Sequence, residues 1–342
     1  MRLSLISLLF LLSNAFSAAP NERRPSRFEF SQVHMGTKFN IILYARDATT
    51  ATRVANATFN RIEQLDAIMS DYRATSELMM LCGRSGGEWV KVSGPLFDIL
   101  GRSQELSTLT DGAFDVTVGP VVRLWRRARR TGEMPDEVGL AKAMQLVGYR
   151  MLDLDKKTQS VRLAKRGMLL DLGGIAKGYA ADEAIAVLKR NGIRSALVAA
   201  GGDVVVSGPP PGARGWVIGI APLERTNEPP NDYLYLSDAA VSTSGDSEQN
   251  VEIGELRYSH IVDPRTGLGL TNRISVTVVA KSGTVSDSVA TAASVLGPER
   301  GFRLINETKG ASGLIRQVTA EGLRILSSIP KDAQGPTFGS SR

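Results

Sequence analysis

The spacing of hydrophobic positions changes along this chain, and it predicts a mixture of helices and strands. From Ala48 to Met69, apolar residues recur every three to four positions, which predicts an amphipathic helix. The same spacing predicts helices over 96–110, 135–147, 179–189 and 285–296. Alternating or short apolar runs predict strands over 39–44, 149–170, 195–207, 216–220, 233–236 and 274–280. Because strands and helices do not alternate regularly, the chain is predicted to be α+β, with mixed or antiparallel sheets and packed helices.

The two ends of the chain differ in composition from its middle. Residues 1–19 have a positive start, an apolar run and small residues at the end, as in a secretory signal peptide. An uncleaved N-terminal anchor is the alternative. Residues 20–27 are predicted to be a flexible start and 330–342 a disordered tail, which leaves 28–329 as the folded domain. The only cysteine, Cys82, lies far from the cleavage site, so no lipid anchor and no internal disulfide are expected.

The charge of the chain is mildly positive and limits the kinds of partner. The formal net charge is +6, and its densest part is the arginine-rich run 123–130. A solvated helix face explains such a run most simply, and attraction of an anionic ligand or acidic partner is the alternative. Aromatic residues make up only 6% of the chain, which argues against a nucleic-acid partner because few rings are available for base stacking.

The most informative segment runs from Asp171 to Tyr179 and reads Asp-Leu-Gly-Gly-Ile-Ala-Lys-Gly-Tyr. The apolar run 168–170 before it predicts a strand, and an alanine-rich helical pattern follows it. A strand that turns through glycines into a helix would bring backbone N–H groups, the Lys177 charge and a helix dipole together. The segment fits neither the P-loop nor the dinucleotide fingerprint. It therefore predicts a phosphate-binding turn of another kind.

Asp287 and Thr291 are four residues apart on the predicted helix 285–296 and would share one face. A carboxylate and a hydroxyl are hard oxygen ligands, and backbone carbonyls or waters could complete a Mg²⁺ site. The alternative is that Asp287 interacts with the helix dipole and Thr291 bonds back to its own helix.

Two further polar segments are candidates for chemistry. His260 to Gly267 is predicted to be a turn that presents a histidine, an aspartate and an arginine for a phosphorylated ligand or for proton transfer. The alternative is a structural turn in which Asp263 caps the backbone and pairs with Arg265. The hydroxyl-rich run 241–246 is predicted to be a turn that lines a polar pocket or satisfies its own backbone.

In their order along the chain, these motifs resemble the ApbE family of FAD:protein FMN transferases, over roughly residues 30 to 325. The matching residues are Met35-Gly36-Thr37, Met69 to Tyr72 with Ser76 to Leu78, Ala113 to Pro120, Asp171 to Tyr179, Gly201 to Asp203, Thr243 to Gly245, His260 to Gly267, and Ser286-Asp287 with Thr291. The resemblance implies two closely packed subdomains with the flavin site between them.

The resemblance also implies an activity, a compartment and partners. Members of the family are exported, periplasmic bacterial proteins that use FAD as substrate and Mg²⁺ as cofactor. They attach FMN through a phosphoester to a Thr or Ser hydroxyl of a target protein and release AMP. Typical acceptors are flavoprotein subunits of membrane redox complexes and extracytoplasmic electron carriers.

Carried over residue by residue, the resemblance implies a set of site residues. Flavin contacts would be Met35, Tyr72, Ala113, Phe114, Asp115, Asp171, Lys177 and Ile261, and the metal ligands would be Asp287, Thr291 and the carbonyl of Gly174. The chain departs from the family in two places, since Asp71 stands where the family usually has Thr, and Arg126 to Arg130 form an unusually basic run.

The mechanism implied is attack of the target hydroxyl on the FMN phosphorus, with His260 as the candidate for handling the proton. Asp263 and Asp171 are alternative bases. A hydrolase that gives FMN and AMP would need the same bond cleavage with water as the acceptor. A flavin-binding protein without turnover is the third reading, and the intact Asp287, Thr291 and Lys177 set argues against it.

Overall fold

The computed structural model describes residues 24–220, 222–223, 230, 232–245 and 250–335. The predicted signal peptide at 1–19 lies outside the described residues, as do 20–23 and 336–342. Among the described helices, none combines the length and the apolar character needed to cross a membrane.

The described residues form eight α-helices and fifteen strands. The helices are α1 (Ala48–Met69), α2 (Glu77–Gly83), α3 (Gly94–Leu109), α4 (Gly119–Thr131), α5 (Glu137–Met144), α6 (Ala176–Arg190), α7 (Gly283–Leu296) and α8 (Pro298–Glu307). The strands are β1 (Ser26–His34), β2 (Thr37–Ala45), β3 (Trp89–Lys91), β4 (Leu152–Asp155), β5 (Ser160–Leu163), β6 (Ala196–Ala200), β7 (Asp203–Val206), β8 (Trp216–Ile220), β9 (Asp232–Leu236), β10 (Ala239–Gly245), β11 (Asn250–Ile253), β12 (Leu256–Ser259), β13 (Ile274–Ala280), β14 (Ser312–Thr319) and β15 (Gly322–Ser327).

An eight-stranded sheet in the order β1-β2-β6-β7-β10-β13-β14-β15 is the centre of the fold. Its strand pairs are all antiparallel. Alternate residues of each strand face opposite sides. On β2, Ile41 and Leu43 enter the main core beneath α1, α6 and α7, whereas Ile42 and Tyr44 face the β8–β9 hairpin on the other side. The predicted α+β class is therefore confirmed.

Two smaller parts are attached to this sheet. The three-stranded sheet β3-β5-β4 shares the main core through residues such as Val90 and Val161. A separate apolar cluster joins α4 and α5 to the β11–β12 hairpin and centres on Trp125. This second cluster holds α4 and the segment after β12 together, next to the main sheet.

One end of the large sheet gathers several turns and strand ends. The register pairs Phe39 of β2 with Ala200 of β6, and Asp203 of β7 with Ser242 of β10. The β1–β2 turn, the Gly201–Gly202 turn and the last residues of β10 therefore lie at the same end of the sheet. Helix α6 packs against β6 and β7, and helix α7 packs against β10 and β13. The start of α6 reaches this end, where Lys177 contacts Asp203, which makes it a candidate place for a site.

Most predicted elements are present, and α1 matches its predicted bounds because Asp47 caps its first turn by accepting the N–H of Thr50. Other predictions are wrong. Residues 168–170 belong to no strand, although Met168 and Leu170 are buried, and 241–245 form most of β10 instead of a turn. Strand β1 begins at Ser26, inside the predicted flexible start.

The first residues of the predicted disordered tail are also ordered, because they pack against the chain. Residues Lys331–Ala333 form a short 3₁₀ helix, and the N–H of Gly335 donates to the carbonyl of Tyr233. The side chain of Arg214 donates to the carbonyl of Asp332. The prediction of disorder from 330 onward is therefore wrong for 330–335.

Candidate active site

The first turn of α6 and the first half of α7 meet at a lysine between two carboxylates. The Nζ atom of Lys177 lies 2.6 Å from Oδ2 of Asp203 and 3.7 Å from Oδ2 of Asp287. The same oxygen of Asp287 accepts the backbone N–H of Gly178 across 3.0 Å. Both aspartates are 3% exposed. Two buried carboxylates from β7 and α7 and the partly buried ammonium group of Lys177 from α6 thus form one charged group.

This meeting of helices depends on an unusually close approach of their backbones. A Cβ atom on Gly178 would lie 2.1 Å from the carbonyl oxygen of Gly283, so only glycine fits there. Asp182, one turn further along α6, accepts the N–H groups of Gly283 and Thr284 at 2.6 and 2.9 Å. Asp182 therefore caps the start of α7 from the neighbouring helix and fixes the position of Asp287 relative to Lys177.

Hydroxyl groups extend the polar cluster along α7 and β10. Ser242 and Ser286 hydroxyls lie 2.8 Å apart, and Ser244 and Thr291 hydroxyls lie 3.4 Å apart. A Cβ on Gly174 would lie 3.1 Å from Oγ1 of Thr291, so the backbone of Gly174 passes directly beside that hydroxyl. Asp287, Thr291 and Gly174, the three predicted metal ligands, are thus adjacent to one another.

The charges of this cluster influence one another strongly. Burial, followed by the nearby charge of Asp203, raises the pKa of Asp287 to about 7. Burial alone would lower the pKa of Lys177, but Asp287 and Asp203 outweigh it and raise that pKa above its ordinary value. Lys177 therefore stays charged, and with both carboxylates ionised the group carries one net negative charge.

This donor set fits a hard divalent cation. The ammonium group of Lys177 lies 2.6 Å from the carboxylate of Asp203 and 3.7 Å from that of Asp287, so it pairs more closely with Asp203. The carboxylate of Asp287, the Thr291 hydroxyl and the Gly174 backbone supply oxygen, which Mg²⁺ prefers. The net negative charge offsets part of the cost of placing a cation there. The cluster does not fit the phosphate-binding turn predicted from the sequence. The charge of Lys177 is already neutralised by Asp203, and the backbone N–H of Gly178 already donates to Asp287.

The other end of the glycine turn forms a second charged group. Oδ2 of Asp171 accepts Nη2 of Arg126 across 2.7 Å, and its Oδ1 accepts the N–H of Gly173 across 2.8 Å. Arg126 also pairs with Asp71, and its guanidinium carbon lies 4.2 Å from the centre of the Tyr72 ring. The two departures noted in the sequence, Asp71 and the arginine run, are therefore partners in one network that includes the predicted flavin contacts Tyr72 and Asp171.

The segment after β12 approaches the same face of α7. Ile261 packs with Ala113 and with Val295, which lies one turn beyond Thr291 on α7. His260, immediately before it, is partly buried. Trp125 of α4 donates from Nε1 to the carbonyl of Gly267 across 2.8 Å and so ties this segment to the arginine-rich helix. His260 is thus carried on a turn that is anchored on both sides.

Within that turn, the structural role predicted for Asp263 is present. Its Oδ1 accepts the N–H of Arg265 across 2.9 Å, and the two side chains form a paired contact, with Nη2 of Arg265 2.7 Å from Oδ2 of Asp263. Gly267 ends this turn with φ of +73°, a left-handed conformation that favours glycine.

Comparison with known proteins identifies the family of this chain. The family model described as the ApbE family matches residues 35–315. The chain belongs to the ApbE family. It is 32% identical to an FAD:protein FMN transferase of Klebsiella pneumoniae, over 88% of this chain and 92% of that protein. A second FAD:protein FMN transferase, from Vibrio cholerae, is 32% identical over 86% of this chain and 89% of its own length.

Solved ApbE structures share the fold. The flavin transferase ApbE from Vibrio cholerae superimposes with a TM-score of 0.80 at 29% identity, covering 89% of this chain and 98% of that chain. The ApbE protein from Thermotoga maritima gives a TM-score of 0.78 at 30% identity, covering 89% and 97%. The predicted family is therefore confirmed.

The remaining predicted flavin contacts of this ApbE family member lie in different settings. Ala113 and Phe114 are buried, and Asp115 is a buried cap that accepts both the N–H and the hydroxyl of Thr117. Burial raises the pKa of Asp115. Met35 occupies the β1–β2 turn with φ of +49°. The structure brings Met35 to the same end of the sheet as Lys177, whereas the Asp115 carboxylate is used within its own loop.

Three residues of the site were missed by reasoning from the sequence. In the sequence, Asp203 and Ser244 stand out only as members of family motifs or of the hydroxyl-rich run, and Arg126 only as part of a basic run. Their roles depend on partners far along the chain, such as Lys177 for Asp203, which sequence spacing does not reveal.

Proposed function

We propose that this protein transfers FMN from FAD to a Ser or Thr hydroxyl of another protein and releases AMP, in a Mg²⁺-dependent reaction. The observation that carries the proposal is the cluster of Lys177 with the buried Asp203 and Asp287, beside Thr291 and Gly174. Its net negative charge and oxygen ligands suit a divalent cation, and the named ApbE relatives are FAD:protein FMN transferases.

Each part of the cluster has a role in this proposal. Asp287, the Thr291 hydroxyl and the Gly174 carbonyl would hold the cation. A cation held there would neutralise negative charge on pyrophosphate oxygens. Asp203 holds the ammonium of Lys177 at 2.6 Å, closer than Asp287 at 3.7 Å, which would leave more of the Asp287 charge for the cation. Gly178 and Asp182 hold α6 and α7 in the register that this arrangement needs.

The reaction replaces one phosphorus–oxygen bond by another. The acceptor hydroxyl oxygen bonds to the FMN phosphorus, the bond between that phosphorus and the AMP phosphate oxygen breaks, and the hydroxyl proton passes to a base. We assign that base to His260. Both alternative bases form ion pairs, Asp171 with Arg126 and Asp263 with Arg265.

FAD would lie along the network at the start of the glycine turn. Tyr72 is 74% exposed and offers a ring for stacking, and Ala113 packs with Ile261. The proposal includes export to the periplasm, where acceptors would be flavoprotein subunits of membrane redox complexes or extracytoplasmic electron carriers.

The test is incubation of the purified protein with FAD, Mg²⁺ and a candidate acceptor, followed by measurement of AMP and of the acceptor's mass. Transfer predicts AMP together with a mass gain equal to one FMN phosphoester. AMP without a mass gain would indicate the hydrolase, and no AMP at any Mg²⁺ concentration would indicate a binding protein.

Two substitutions on α7 test the cation ligands. Asp287→Ala should abolish Mg²⁺-dependent transfer, and Thr291→Val should raise the Mg²⁺ concentration needed for half-maximal rate. The matched control is Ser294→Ala, which removes a buried hydroxyl that bonds only to the carbonyl of Ala290 in the same helix. Normal transfer by Asp287→Ala would show that the metal assignment is wrong.

A further inference from the structure

Arg126 connects two carboxylates and an exposed aromatic ring at the edge of the candidate site. It donates to Asp171 across 2.7 Å, pairs with Asp71, and covers one face of the Tyr72 ring at 4.2 Å. The side chains of Arg126, Asp71 and Asp171 are 16%, 19% and 11% exposed. Solvent therefore screens these charges only weakly.

Through Asp171, Arg126 also reaches the glycine turn that leads to the cation cluster. The backbone N–H of Asp171 donates to the carbonyl of Val116, and its side chain accepts the N–H of Gly173. The turn then continues through Gly174 to Lys177. Asp171 is the first residue of this segment, which also carries the proposed metal ligand Gly174 and the lysine Lys177. A displacement of the Asp171 carboxylate would therefore disturb the start of the segment.

The charges in this network are not equivalent. Burial, and then the charge of Asp171, raise the pKa of Asp71, while Arg126 opposes that rise. Without Arg126, two partly buried carboxylates would face each other without the guanidinium group that bridges them, and the Tyr72 ring would lose the group that covers it. Without the Asp71 charge, a neutral Arg126–Asp171 pair would remain.

We propose that Arg126 is a positioning residue for FAD, which holds the Tyr72 ring and the Asp171 carboxylate in the arrangement that binds the dinucleotide. This inference rests on the proposed function, because it assumes that Tyr72 and Asp171 contact FAD. Asp71 acts through Arg126, as a second anchor for its guanidinium group. The role differs from that of Lys177, whose ammonium is held within the cation cluster.

A double-mutant cycle tests this role, with the dissociation constant for FAD measured from the quenching of flavin fluorescence. Arg126→Gln should weaken FAD binding by about tenfold or more, and Asp71→Asn should change it much less. The double variant should bind better than Arg126→Gln alone, because removal of the Asp71 charge relieves the repulsion with Asp171. The control is Arg127→Gln, since Arg127 is exposed on the same helix and has no ion pair among the described residues.

The kinetics separate positioning from a general loss of structure. Arg126→Gln should raise the KM for FAD more than it lowers kcat, with a melting temperature close to that of Arg127→Gln. If Arg126→Gln does not fold, Arg126→Lys replaces it, because lysine keeps the charge but cannot bridge two carboxylates with a planar fork. It should then show the same rise in KM.

The outcomes distinguish this inference from the proposed function. If the unaltered protein does not bind FAD, the proposed function fails. If it binds FAD and Arg126→Gln binds equally well, only the role of Arg126 is overturned. A double variant as weak as Arg126→Gln would overturn the repulsion on which the role of Asp71 depends.

Discussion

The backbone N–H of Gly178 donates to Oδ2 of Asp287 across 3.0 Å, which joins the first turn of α6 to the first half of α7. The contact exists because Gly178 has no side chain, and it places a buried carboxylate beside the lysine of the same turn. Much of the site's arrangement follows from this one close approach.

Gly178→Ala should therefore damage both stability and activity. The added methyl group would lie 2.1 Å from the carbonyl oxygen of Gly283 and 2.8 Å from Cβ of Asp287, so the helices must separate. We expect a loss of about 1–3 kcal/mol in the free energy of unfolding, as for other overpacked sites, and a large loss of transfer. Denaturant unfolding and AMP release measure the two effects.

The control for that substitution is Gly101→Ala in α3. No heavy atom lies within 4 Å of a Cβ built on Gly101, and the position is inside a helix. This variant should be more stable by about 0.5–1 kcal/mol, because alanine favours the helix, and its activity should not change. Equal effects of the two substitutions would contradict the close-approach argument.

Asp203→Asn should weaken the response to Mg²⁺ without abolishing the reaction. The amide cannot neutralise Lys177, so the ammonium should turn toward Asp287 and compete with the cation, and the net charge of the cluster should rise from −1 to 0. We expect the half-saturating Mg²⁺ concentration to rise by about 10- to 100-fold, as when groups behind metal ligands are changed. A Mg²⁺ titration of AMP release measures this. An unchanged titration curve would show that Asp203 has no such role.

The Mg²⁺ requirement should also depend on pH. A carboxyl whose pKa is raised by folding, here from 3.8 to about 7 for Asp287, holds its proton to higher pH than in the unfolded chain. The protonated Asp287 carboxyl contributes fully to the free energy of unfolding below the pKa of the unfolded chain, and this contribution is lost as the pH rises through about 7. A cation needs the ionised carboxylate, so its affinity should fall by about tenfold for each pH unit below 7.

Half-saturating Mg²⁺ measured at pH 6, 7 and 8 tests this dependence. The expected result is a steep change between pH 6 and 7 and a smaller one between 7 and 8. The side chain of Asp287→Asn cannot lose a proton in this range. This variant should have a higher half-saturating Mg²⁺ concentration that does not change with pH. Equal half-saturating concentrations at pH 6 and 8 in the unaltered protein would contradict the assignment to Asp287.

Features that depend on nearby residues could be predicted from the sequence. The Asp47 cap and the helical spacing define α1, and the four-residue spacing places Asp287 and Thr291 on one face of α7. Partners far apart in sequence could not be read from spacing, such as Lys177 with Asp203 or Arg126 with Asp71, which are 26 and 55 residues apart.

Strand β10 shows why hydroxyl-rich sequences mislead. Val241 to Gly245 looks like a turn because serine and threonine often satisfy their own backbone. In the structure these hydroxyls bond to neighbouring elements instead, with Ser242 on Ser286 and Thr243 on Thr277. A buried polar strand of this kind becomes recognisable only when its partners are known.

Trp125 supports the segment that carries His260. Its Nε1 donates to the carbonyl of Gly267 across 2.8 Å, and the ring is 1% exposed. Trp125→Phe should leave that carbonyl without its donor and cost about 1–3 kcal/mol of stability. Because the turn would lose an anchor, kcat for transfer should also fall. The control is Trp216→Phe, which removes an equivalent bond to the carbonyl of Gly208 on the other face of the sheet. If His260 acts on the reacting hydroxyl, both variants lose stability but only Trp125→Phe loses kcat; equal kcat values would contradict the role of this turn.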